Sequence, residues 1–466
     1  MKNKRNKILI KMFFLAILFF GFVEISEAKD LFVSTTGNDA VTYANNDINN
    51  PWLTVEKAWA DAQTNDVVYY RAGTYTITAQ INNLTSGASV THTNYQDEVV
   101  TWESSLCDGA ESDHGVIHVS EDNITVDGIN GNWTGSEDCF ADTGFFVMGW
   151  SAKAVSADYF TLKDGDWTSA KYGQNGGIVF AALRGTDHST HVMIENVNII
   201  GAGAEVGSIN TSGIMTFQAE DWTIKNCEIS NVNTGIFFNK HPSIASAVGG
   251  TIENNYIHTV HSALRTQTNN TEFTNNIFNG SVSMGYDSGP CSIDGNVGSD
   301  NNTWTHNTFT GYVELSSATR DGDNELVGTV YPVFENNIMP AVNVDIHRYS
   351  VAPTYYEGDY NLWPPAGTIY VYEGGSSAKI LTTFRTFLGG CPNDDNECNS
   401  LEQVPIFAGG ASLDEIADFA LTAESPGYQA CADSSDMGAD ISLVGIDAGE
   451  ESDTTPPSAP SGLSVS

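Results

Sequence analysis

Hydrophobic and polar positions in the middle of this chain follow neither the 3.6-residue period of an amphipathic helix nor a long even alternation. A six-residue unit recurs instead: apolar, any, Asn, any, any, apolar. It reads Ile194-Glu195-Asn196-Val197-Asn198-Ile199 and returns at 224–229, 252–257, 273–278, 304–309 and 334–339, with a degenerate copy at 162–167. The third positions (Asp164, Asn196, Asn226, Asn254, Asn275, His306, Asn336) lie 32, 30, 28, 21, 31 and 30 residues apart, a mean of about 29. A fixed period of that size marks a solenoid rather than a single globular core.

No copy contains a ten-residue helical pattern, so paired-helix repeats are excluded. Each copy is a strand, a bend and a strand. The predicted fold is all-β: a single-stranded right-handed parallel β-helix solenoid of about seven to ten rungs. First and last apolar positions should stack inward in continuous columns. The Asn should take the bend, where it tolerates left-handed backbone angles, and its side chain can bond to its neighbours along the axis. Cys227 and His306 fall in these columns and read as structural. Fainter rungs are expected at 115–119, 124–129 and 145–148.

The ends change the picture. Residues 1–28 read as a signal peptide: basic Lys2, Lys4, Arg5, Lys7 and Lys11, an apolar run from 12 to 23, and a cleavage site near Ala28. No later stretch is apolar enough to cross a bilayer, so a soluble, secreted, extracellular protein is expected. Removing the signal takes five basic and two acidic residues, moving the net charge from −39 to −42. Such a charge argues against nucleic acid and against insertion into membranes. It reads first as a solvated acidic surface, with Ca²⁺ as the cofactor that clustered carboxylates would favour. Residues 29–448 are read as one monomeric β-helix domain. Residues 449–466 form a Pro/Ser linker resembling the entry to a fibronectin type III module. Of the seven cysteines, Cys391 and Cys398 suggest a local disulfide and Cys107 and Cys139 a second.

Both ends resemble one superfamily. The segment 31–39, Asn50-Pro51-Trp52, the helical piece 55–59 and Ala72-Gly73-Thr74-Tyr75 resemble the amino-terminal cap of extracellular right-handed parallel β-helix (pectin lyase-like) proteins. Segments 357–363, 418–428 and 436–440 resemble the segments that close the same fold. The resemblance covers nearly all of the mature chain. It implies a fold and leaves the reaction open, since that scaffold hosts lyases, hydrolases, epimerases and adhesins.

Candidate chemistry falls on the strands that follow each bend: 235–240, 262–267, 281–287, 311–317 and 341–348. Stacked strands would set side chains about 5 Å apart, a spacing suited to a polymer. Asn239-Lys240 and Leu264-Arg265 form a basic pair in a chain left with 14 basic residues. β-Elimination across a uronic acid needs a base for the C5 proton and a cation for the carboxylate. The pair is similar to the Asn-Lys…Leu-Arg motif of the alginate lyase and chondroitinase B family. That resemblance implies Lys240 as base and Arg265 as acid. The residue after Lys240 is His241 where the family has Ser, and the family's Ca²⁺-binding glutamates are absent from 233–235. His258 and His261 lie between the two strands and can assist either chemistry. A second constellation, Asp287, Glu314 and Asp345 with His347 and Arg348, supplies paired carboxylates for glycoside hydrolysis. Tyr286, Tyr312 and Tyr349 can stack on sugar rings. Three function classes follow: a polysaccharide lyase on an anionic glycan, a glycoside hydrolase, and a non-catalytic glycan-binding or adhesion protein. The partner in each is an extracellular polysaccharide.

Overall fold

The computed structural model describes residues 28–82, 89–106, 115–134, 143–148, 157–169, 176–181, 189–203, 211–217, 220–239, 247–284, 301–319, 326–328, 332–339, 344–348, 356–363, 365, 369–372, 376–379, 381–387 and 396–446. Among them, nearly every strand pairs in parallel with a strand about one period away. The chain coils through three faces per rung. A first-face strand is followed by a left-handed residue, a second-face strand, a turn, and a third-face strand. Eleven parallel third-face strands run from Ile81–Asn82 to Ile369–Tyr372 among the described residues. The solenoid thus exceeds the seven to ten rungs expected, because rungs before residue 160 lack the Asn signature and are not legible from it.

The stacking follows the repeat. Leu162, Ile194, Ile224, Ile252, Phe273, Trp304 and Phe334 pair successively in one inward column on the first face. Trp167, Ile199, Ile229, Ile257, Phe278 and Phe309 do the same on the second. All are buried, and aromatic members stack face to face, as in Phe273–Trp304 at 3.8 Å between centroids. At about 1.5–3 kcal/mol per buried large apolar side chain, these columns are the main stabilising element.

The bend residues behave as their side chains predict. Asp164, Asn196, Asn226, Asn254, Asn275, His306 and Asn336 all have φ between 52° and 60°. Asn196 donates to Asp164 at 2.8 Å, Asn254 to Asn226 at 3.1 Å and Asn275 to Asn254 at 2.9 Å. The stronger ladder, however, lies one residue later and fully inside. Asn255, Asn276, Asn307, Asn337 and Asn361 are buried, and each bonds the next through both its backbone N–H and its side-chain amide at 2.9–3.1 Å. Cys227 occupies the first place in this ladder, its N–H donating to Asn255 Oδ1 at 3.0 Å. Burial pushes its thiol up to about 12, in keeping with a structural role.

Both ends are plugged by helices. Val55–Asp61 is capped by the Thr54 hydroxyl, which accepts from Lys57 N at 3.1 Å. Its Trp59 stacks on buried His92 at 4.3 Å. At the far end Leu381–Phe387 turns Phe384 onto Tyr356 and Trp363. Beneath it the inner ladder meets the buried carboxylate of Glu397. That group accepts from Tyr356 Oη, from Trp363 Nε1 at 2.8 Å and from Asn361 Nδ2 at 3.1 Å. Burial raises its pKa, and these donors oppose the rise. The C-terminal segment then runs back along the corner of the bend residues. Gly438 N reaches Asn336 O at 2.7 Å and Gly445 N reaches Asn254 O at 2.8 Å, and Ser435 Oγ lies 3.4 Å from His306 Nε2. This segment holds the sequence that resembles the superfamily's closing motif.

Cys398 is disulfide-bonded; its expected partner Cys391 lies outside the described residues, as do Cys107, Cys139, residues 1–27 of the expected signal peptide 1–28 and the expected linker 449–466. Among the described residues, Cys227 and Cys431 are free and buried, and no helix is long and apolar enough to cross a membrane.

Candidate functional site

The strands singled out for chemistry are consecutive members of the third face: Thr234–Asn239, Ser262–Thr266, Ser281–Met284, Val313–Thr319 and Val344–Arg348. Pleating sorts their side chains. Ile236, Phe238, Leu264, Val282, Met284 and Val313 belong to the core, whereas Phe237, Arg265, Ser283 and Glu314 fall between them on the outer side. These outer positions are in register. Phe237 pairs with Arg265, Arg265 with Ser283, Ser283 with Glu314, Glu314 with Asp345, and Asp345 with Tyr370. The result is one column of paired positions with steps of about 4.8 Å, of which Phe237, Arg265, Ser283 and Glu314 fall on the outer side.

Arg265 sits at the head of the polar part of this column. Its guanidinium carbon lies 4.8 Å from the centroid of the Phe237 ring. The ring quadrupole favours the cation, and the apolar bed lowers the local dielectric, so a carboxylate meeting the exposed edge is bound more tightly than in open water. Glu314 lies two rungs further on. Asp345 stands directly opposite Glu314 in the next strand, putting two acidic positions one strand spacing apart.

The remaining candidates are distributed as follows. Lys240, Tyr286 and Asp287 lie outside the described residues, as do Tyr349 and His241. Asn239 ends its strand and pairs through its backbone with Phe217. His347 and Arg348 pair with Ser316 and Ser317. The residue directly beside Arg265 on the preceding strand is Phe237, and the one beside Glu314 is Ser283. The sequence points to Lys240 and Asp287 as neighbours, both outside the described residues; Phe237 and Ser283 carry no signal of their own there, because register is invisible until strands are paired. His258 is on another face. It ends the second-face strand Tyr256–His258, stacks on Tyr256 at 4.2 Å, and places Nε2 2.9 Å from Glu228 Oε1. There it buttresses the second face. His261 is exposed in the turn that follows.

The first face carries its own cations. The outer column of the first face alternates Asp127, Lys163, Glu195, Lys225 and Glu253, with Lys163–Asp127 at 2.9 Å and Lys225–Glu195 at 2.7 Å. Among the described residues no three His, Cys, Asp or Glu side chains converge as a metal site.

The architecture is a parallel β-helix. No family model matches the chain, and no curated protein matches it. Among solved structures, it is similar to pectate lyase Pel9A, with 14% identity, 89% of this chain and 96% of that chain covered, and a TM-score of 0.46. A mannuronic acid specific polysaccharide family 6 lyase from human gut microbiota has 11% identity, coverage of 74% and 82%, and a TM-score of 0.44. A rhamnogalacturonan lyase has 12% identity, coverage of 72% and 87%, and a TM-score of 0.43. At such identities and scores the likeness carries no reaction or substrate across to this chain.

Proposed function

We propose that this chain is an exported polysaccharide lyase that cleaves an anionic glycan by β-elimination on the third face. The observation that carries the reading is Arg265, an outward cation bedded on Phe237 at the head of a polar column. A polymer laid along that column places a uronate carboxylate on Arg265. Neutralising the carboxylate acidifies the C5 proton, which is the step that limits elimination in water. Lys240, a few residues past Phe237 on the preceding rung, is assigned as the base. Ca²⁺ held by the acidic surface would offset the mean field that so acidic a protein presents to a polyanion.

Glu314 and Asp345 favour a second reading. Retaining glycosidases hold their two carboxyl groups about 5–5.5 Å apart, and these residues occupy paired positions one strand spacing apart. The two readings separate in one experiment. Mature protein is incubated with alginate, pectate, glycosaminoglycans and neutral glycans, with and without Ca²⁺, while unsaturated-product absorbance and reducing ends are followed together. A lyase raises both, and Arg265→Ala abolishes both. Reducing ends without absorbance transfer the assignment to Glu314 and Asp345. Glycan binding without either signal leaves a non-catalytic surface protein.

A further inference from the structure

The third face does not present one uniform groove. Val147, Met215 and Phe237 sit on the outer side of their strands: their neighbours Phe146, Met148, Ile214, Ile236 and Phe238 all belong to the core cluster, and they do not. Outward residues of a solenoid face should meet solvent. These are only 0%, 1% and 9% exposed. His118, in register with Val147 one rung earlier, is equally buried. One rung beyond Phe237 the column changes character. Arg265, Ser283 and Glu314 are each partly exposed. Chemistry changes at the same step, from Val, Met and Phe to Arg, Ser and Glu.

We infer that the glycan groove is one-ended: it is closed at Phe237 and open only toward the C-terminal rungs, so the protein grips a terminal stretch of its polymer and cleaves near a chain end. This rests on the reading of the third face as the substrate face. A sugar chain is polar along its whole length, and burying its hydroxyls against unpartnered Val147 or Met215 would leave hydrogen bonds unmade at about 1–3 kcal/mol each. Those positions are closed to solvent in any case. A chain lying along the column with its carboxylate on Arg265 must therefore end beside Phe237. Arg265 then occupies the innermost place, and Glu314 lies on the open side two rungs away.

The test uses mature protein and hexameric oligomannuronate and oligogalacturonate, each carrying a bulky fluorophore at either the reducing or the non-reducing end. For the oligomer that binds, one labelled end should weaken affinity at least tenfold, and the other should change it less than twofold. Equal tolerance of both labels overturns the inference, since an open groove or a chain crossing the face along the strands has no stop. Failure of every oligomer to bind overturns it together with the substrate-face reading. End-selective binding without turnover leaves the closed groove standing and removes the lyase assignment alone. Where turnover occurs, short products should accumulate from the start while polymer viscosity falls slowly. An early collapse in viscosity overturns cleavage near a chain end.

Discussion

Replacing Asn307 by Ala should destabilise the protein more than any surface change, by about 2–5 kcal/mol, although the substitution removes only a small polar group. Asn307 is wholly buried. Its Oδ1 accepts from Asn276 N and Asn276 Nδ2, both at 3.0 Å, and its Nδ2 donates to Phe273 O at 2.8 Å and Asn337 Oδ1 at 3.1 Å. Alanine keeps the backbone N–H that donates to Asn337 but strands the Asn276 backbone N–H in a water-free interior, while Asn276 Nδ2 keeps Ile252 O at 2.7 Å. Each buried group left unsatisfied costs about 1–3 kcal/mol, and a cavity the size of the lost amide adds to that. The assay is denaturant unfolding of the mature chain, comparing midpoints at constant slope. The double variant Asn276→Ala/Asn307→Ala should cost less than the sum of the singles, because the Asn276 Nδ2–Asn307 Oδ1 bond is lost in either single and so is counted twice in their sum. Asn196→Ala, on the outer and more exposed ladder, is the control. It loses mainly the side chain suited to a left-handed bend, at about 1–2 kcal/mol. A loss below about 1 kcal/mol for Asn307→Ala, or strict additivity in the double variant, would refute the inner ladder as a coupled network.

Acid should unfold the N-terminal cap early. Burial holds His92 at about 3, below its ordinary 6.5, so the folded state binds its proton more weakly than the unfolded state does. The stability this represents is fully present above pH 6.5 and is lost as pH falls from 6.5 toward 3; His92→Phe should flatten that slope in acid-denaturation curves. Gly131→Ala should cost at least about 1–3 kcal/mol in thermal unfolding, since a Cβ there would stand 1.9 Å from Trp167 Cε3. Lys163→Ala should cost only about 0.2–1 kcal/mol, and the difference should fade in high salt, because its pairs are partly exposed. Arg265→Ala should leave the unfolding midpoint within about 0.5 kcal/mol and lower turnover by about 10²–10³-fold; an unchanged rate would remove the residue from the chemistry.

The repeat was legible because its causes are local. A β-bend that needs φ near +55° selects Asn at any rung, and a strand that must bury one face selects Ile, Phe or Trp at fixed offsets. Those rules name Leu162, Ile194 and Phe334 as core and Asn196 and Asn336 as bends before any contact is known. They also locate the five third-face strands, while the helical piece at 55–59 was legible through the resemblance of the N-terminal segment to a cap. They failed where the outcome depends on which residues meet. Asn255 and Asn276 carry the buried ladder, one place after the more regular Asn column, because only the third dimension decides which amide points inward. Residues 381–387 plug the C-terminal end through contacts with Tyr356 and Trp363 that no period announces. The site shows the same division. Composition marked Arg265 as rare and placed it on a polar strand. Its bed on Phe237, its alignment with Ser283 and Glu314, and the separation of His258 onto another face were decided by register, a property of paired strands that no single segment contains.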